Sequence, residues 1–221
     1  MCFSATASFT ASAFLAGIGT LTMRDSRGRA ERAYAAIPLL FALQQFSEGV
    51  VWLSFDWQIP VVSLIATQVF SLFSHVLWPI YIPIVAYLLE PPGARRRVLA
   101  ALCVAGSLVG LGLLAGMVAF PITAHPVGGH VDYESPHFYL PVVITLYLAA
   151  TTLSMIVSSH RSVQIFGAAV LLSAALAYLM YARWFISVWC FFAALLSVLV
   201  YVRVRAMRLA SGLPAGITQI P

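Results

Sequence analysis

The chain has 221 residues, 62% of them apolar and 9% charged, against about 25% charged in an ordinary soluble domain. That balance excludes a water-soluble globule, a disordered chain and a nucleic-acid-binding module. The net charge of +5 comes from twelve Arg and no Lys set against seven acids, and the Arg lie between apolar runs, where they report topology.

A bilayer core of roughly 30 Å needs about 20 apolar residues per helix. Seven runs meet that length, at about 2–22, 34–57, 60–89, 98–120, 138–158, 163–181 and 184–202. The first has no basic start and reads as an uncleaved helix with its N-terminus outside. The stretch MRDSRGRAER follows as a polar connector. The third run carries Pro79 and Pro83, which predict a kink. The fourth holds Gly106-x-x-x-Gly110 and Gly112-x-x-x-Gly116, and the first a Ser4, Ser8, Ser12 stripe. Such spacings let helices approach closely within the bundle, with a homo-oligomer face as the alternative. A longer polar stretch, 121–137, reads as an outer loop.

With seven spans, eleven Arg fall on one side and only Arg183 on the other. The rule that cytoplasmic loops are Arg-rich then puts the C-terminus inside, against an anionic inner leaflet. The expected fold class is all-α: a seven-transmembrane-helix bundle over 1–208 with a short cytoplasmic tail at 209–221. It is expected in a bacterial cytoplasmic membrane, with the bilayer as its partner and no nucleic acid.

Ionisable groups inside spans are costly, so they mark function. Apart from Asp56 at the very end of the second run, Glu48 is the only acid inside a run, and His75 is the only histidine. Glu48 stands 16 residues beyond Arg32, about 24 Å up at the helical rise. His75 stands 15 residues before Glu90, about 22 Å up. Cys190 lies about 20 Å up by the same count from Arg203. Gln44, Gln45 and Trp52 share the Glu48 face. Gln68, Ser71 and Trp78 share the His75 face. Two polar stripes in lipid must turn inward, so the sequence predicts a pocket in the outer half of the membrane.

A carboxylate, an imidazole and a thiol are ligands for a divalent metal such as zinc. Glu48, His75 and Cys190 or Cys2 would form the set, and an open position would activate water for hydrolysis or hydration of a lipid or small molecule. The same residues also fit a helix-locking Glu–His hydrogen bond, or a proton- or cation-binding pair in a transporter or channel. His125, His130 and His137 in the outer loop, with Asp132 and Glu134, fit a cover over the pocket mouth or a metal or pH sensor. His130 is the loop histidine expected to enter the site.

The stretches MCFSATASF, PLLFALQQFSEGVVW, LWPIYIPIVAYLLEPPGARRR and FISVWCFFAALLSV resemble an uncharacterised bacterial multi-pass membrane family. That resemblance implies a multi-pass fold and no particular chemistry. A looser similarity of layout, to seven-helix membrane hydrolases of the alkaline ceramidase type, implies an intramembrane zinc. The sequence lacks the late-helix His-x-x-x-His pair of those enzymes.

Overall fold

The computed structural model describes residues 4–135 and 138–210. Helix α1 (Ala5–Asp25) starts where the Ser4 hydroxyl accepts from the Ala7 amide at 3.2 Å, a standard N-cap. It packs antiparallel on the stretch that follows, α2 (Gly28–Ala35) and α3 (Ile37–Asp56). Much of the expected polar connector is therefore helix. Its Ala, Arg and Glu are good helix formers, and Glu31 reaches back to accept from the Arg27 amide at 2.7 Å.

Next come α4 (Pro60–Ser71), a π-helical turn (Leu72–Leu77) and α5 (Trp78–Leu89). This π turn, just ahead of Pro79, interrupts the run in which the prolines predict a kink, and Pro83 sits inside the unbroken α5. Helix α6 (Ala94–Ala119) returns along α5. A Cβ at Gly106 would lie 1.9 Å from the Pro79 carbonyl oxygen, while one at Gly112 would meet nothing within 4 Å. Thus the first small-residue motif is an internal contact, while Gly112 of the second is exposed.

The expected outer loop is instead a β-hairpin of β1 (Thr123–Val127) and β2 (His130–Glu134). Gly128 and Gly129, at φ 59° and 77°, supply the two left-handed residues that a tight two-residue turn requires. The chain then forms α7 (Pro141–Leu148), a second π turn (Ala149–Leu153), α8 (Ser154–Val157) and α9 (Arg161–Tyr181). A 3₁₀ turn (Ala182–Trp184) reverses it into α10 (Phe185–Leu196) and α11 (Val198–Ala210). The Trp189 indole of α10 donates back to the Val170 carbonyl of α9 at 3.2 Å.

The described residues are all-α apart from that hairpin. Among the described residues, five helical stretches (5–25, 28–56, 60–89, 94–119 and 161–210) are long and apolar enough to cross a membrane; 141–157 is a shorter apolar one. Outward faces carry large apolar side chains, such as Val104, Leu108 and Val118 on α6 and Leu172 and Leu179 on α9. An apolar exterior over an apolar core marks a membrane protein.

The two ends of the bundle differ in chemistry. At the Arg-rich end, Asp25 of α1 takes Arg205 at 3.3 Å and also Arg208, both from α11. Glu90 accepts from Ser158 at 3.1 Å and from the Ser159 amide at 2.8 Å. At the hairpin end, Arg183 donates to Asp132 at 2.7 Å. The hairpin is docked by stacking of Tyr133 on Phe70, centroids 4.5 Å apart, and by Gln68, whose amide donates to the Ile122 carbonyl at 2.7 Å.

Candidate functional site

Glu48 is fully buried. One carboxyl oxygen, Oε1, accepts from the Ser187 hydroxyl of α10 at 2.6 Å. The other, Oε2, has no hydrogen-bond partner among the described residues. No Arg or His nitrogen among the described residues comes within 4.0 Å of the carboxyl. An uncompensated carboxylate is costly in so apolar a place, so this group calls for a proton, a cation or bound water.

Its surroundings share the same shortage of partners. Both amide atoms of Gln45 and the indole nitrogen of Trp52 are buried with no partner. They stand at i−3 and i+4 from Glu48, on one face of α3. Across the α3–α4 turn, the antiparallel register brings Thr67 and Ser71 to the level of Glu48 and Gln45, and both hydroxyls are likewise buried and unpartnered. From α1, Ser12 donates to the Ala42 carbonyl at 2.8 Å, and Ser8, one turn nearer Glu48, is buried without a partner. Buried polar atoms are ordinarily satisfied. Among the described residues, six from three packed helices break that rule within about one turn of Glu48 and make a polar centre, and Glu48 is the only ionisable side chain of the six.

One turn towards the Arg-rich end, the site changes character. Gln44 accepts from the Trp78 indole at 2.7 Å, and Trp78 stacks on Phe41 with centroids 4.0 Å apart. Beyond them lies a cavity of about 30 Å³ with almost wholly apolar walls, among them Tyr147, Phe166, Val170, Trp189 and Cys190. Cys190 is thus a buried wall of the aromatic cavity, beside the polar centre.

His75 goes elsewhere. It is buried in the π turn, with Ser74 at 2.8 Å from Nδ1 and Ser135, just past β2, at 2.9 Å from Nε2. Phe138 packs on its ring at 5.0 Å, and the Tyr147 hydroxyl donates to the Ser74 carbonyl. The expected Glu48–His75 pair is not formed: no hydrogen bond or ion pair joins them among the described residues. The π turn is the reason. Its wider winding breaks the regular spacing that would put His75 on the Gln68 and Ser71 face. His75 anchors the segment after the hairpin instead.

In the loop, His130 is buried and stacks on Trp184 with centroids 4.4 Å apart. Burial pushes its imidazole below the ordinary histidine value. His125 is exposed, 3.9 Å from Glu134. Cys2 and His137 lie outside the described residues. Among those described, no three His, Cys, Asp or Glu side chains are grouped so as to hold a metal ion. Sequence reasoning missed Ser187, the partner of Glu48. It stands at i−3 from Cys190, so the polar face of α10 was open to the same count that grouped Gln45 with Glu48.

The polar centre, the cavity and the hairpin all fall within residues 1–214, which match the profile of a family of unknown function, DUF6629. The chain belongs to that family. Neither the curated proteins nor the solved structures hold a match to it. Family membership therefore brings no reaction with it, and the chemistry has to be argued from the geometry above.

Proposed function

We propose that this is a seven-span protein of a bacterial cytoplasmic membrane, N-terminus outside and C-terminus inside, whose Glu48 centre binds a proton or a small cation in the manner of a transporter or channel. One observation carries the reading: a fully buried carboxyl with one oxygen held by Ser187 and the other without a hydrogen-bond partner among the described residues, in a neighbourhood of buried amide and hydroxyl groups. Oxygen donors of this kind suit hard cations such as sodium, or a proton shared with water. Ser187 fixes the carboxyl while Oε2, Gln45, Thr67 and Ser71 are left to meet the cargo. The hairpin covers the outer mouth, with the Arg183–Asp132 pair at its rim.

Metal-assisted hydrolysis is the weaker reading. Among the described residues no three His, Cys, Asp or Glu side chains gather around Glu48, so that reading needs ligands from outside them. Two assays on the purified protein decide between them. In proteoliposomes under a sodium or pH gradient, the wild type should carry flux and Glu48→Gln should abolish it. Equal flux in both would end the transport reading. Stoichiometric zinc that is lost in Glu48→Gln would replace it with the metal site.

A further inference from the structure

At the Arg-rich end, far from Glu48, the buried charges are almost all matched. Asp25 is shared by Arg205 and Arg208, Glu90 is held by Ser158 and Ser159, and Glu31 accepts from the Arg27 amide. Arg203 is the buried exception; the partly exposed Arg96, whose Nε also lacks a partner among the described residues, lies over the Tyr87 ring at 4.5 Å. Arg203 is 5% exposed, its Nη1 is buried with no hydrogen-bond partner among the described residues, and no carboxylate among them lies within 4.0 Å of it.

What Arg203 does touch is an aromatic face. Its guanidinium carbon stands 5.0 Å from the centroid of the Tyr34 ring of α2. A cation over a ring gains something, but far less than burying a full charge costs. The hydroxyl of that same Tyr34 is itself buried with no partner, on a side chain that is 0% exposed. Phe166 of α9 packs edge-on against the ring at 6.5 Å and fixes it. Two donors, one charged and one neutral, are thus held in contact between α2, α9 and α11 without an acceptor among the described residues.

We propose that Arg203 and Tyr34 form a binding site for a phosphate-type anion at the cytoplasmic end of the bundle. The planar guanidinium fork matches phosphate oxygens, and the phenol supplies a further donor. The net charge of +8 on this side, eleven Arg less Asp25, Glu31 and Glu90, draws an anion in. The chemistry is shared by free inorganic phosphate and by the phosphate of an anionic lipid in the inner leaflet. The site is independent of the Glu48 reading.

The test uses the full chain, delipidated in nonionic detergent and then in nanodiscs. Inorganic phosphate is titrated calorimetrically. Separately, native mass spectrometry counts phosphatidylglycerol retained from nanodiscs of phosphatidylglycerol in phosphatidylcholine. Saturable binding of one phosphate identifies the free anion; one retained phosphatidylglycerol without phosphate binding identifies the lipid. In either case Arg203→Gln should abolish binding, and Tyr34→Phe, which removes a single oxygen, should weaken it roughly tenfold. The exposed Arg97→Gln takes the same charge from the same end and should leave it unchanged. Tyr34→Phe alone suffices where Arg203→Gln fails to fold. Absence of saturable binding to both probes, binding unaltered in Tyr34→Phe, or an equal loss in Arg97→Gln would overturn the assignment.

Discussion

The contact of α5 with α6 makes a sharp prediction, because two glycines of one helix should respond to the same substitution with opposite signs. Gly106→Ala puts a Cβ 1.9 Å from the Pro79 carbonyl oxygen, where ordinary contact begins near 3.4 Å. The helices must part by about 1.5 Å, and the obstacle is backbone that cannot rotate away. Overpacking of this kind costs about 1–3 kcal/mol. At about 2–4 °C per kcal/mol for a chain of this size, the melting temperature should fall by roughly 3–10 °C. The displaced segment carries Trp78, so its indole fluorescence should shift as the bond to Gln44 loosens. Gly112→Ala meets nothing within 4 Å and gains up to about 1 kcal/mol of helix propensity. Thermal melts of both variants in one detergent settle the matter. A Gly106→Ala protein as stable as Gly112→Ala would refute the close α5–α6 approach.

Other consequences follow from the separation of Glu48 and His75. Groups with no shared partner should behave additively, so the stability changes of Glu48→Gln and His75→Ala should sum in the double variant to within about 0.5 kcal/mol; a larger coupling would restore the pair. The hairpin should also respond to acid. Its buried His130 titrates below the ordinary value, so the undocked hairpin binds more protons than the docked one. Docking is then at full strength above pH about 6.5 and weakens as pH falls through that value. The other charged pairs of the hairpin are Arg183–Asp132 and the exposed His125–Glu134. Protection of the amides across 123–134, after correction for the pH dependence of intrinsic exchange, should fall between pH 7.5 and 5, and His130→Phe should flatten the response. Protection independent of pH would contradict this. Topology is open to direct labelling: Arg97→Cys should react with an impermeant thiol reagent only from the cytoplasmic side, and Ala124→Cys only from outside.

Much of the architecture was legible because it rests on long-period signals. The apolar runs gave the helices, and the Arg pattern sorted their ends as Asp25, Arg205 and Arg208 now join them. Local backbone chemistry was harder to read. Gly128-Gly129 between Val127 and His130 is a hairpin signal, yet the strands are short and β1 contains Pro126, so the stretch looks like loop. The π turn at Leu72–Leu77 has no simple sequence signature, and it alone moved His75 off the face that regular spacing assigns. Glu48 was found because an acid inside an apolar run is rare. Its partner Ser187 was passed over because a serine there is common.

Infrared difference spectroscopy tests the central claim most directly, by following the carbonyl stretch of a buried carboxylic acid while sodium or base is added. The account predicts a protonated-carboxyl band that disappears as the cation binds or the proton leaves, and that is missing from Glu48→Gln. A band unaffected by either addition, or unchanged in Glu48→Gln, would show that Glu48 merely ties α3 to α10 through Ser187.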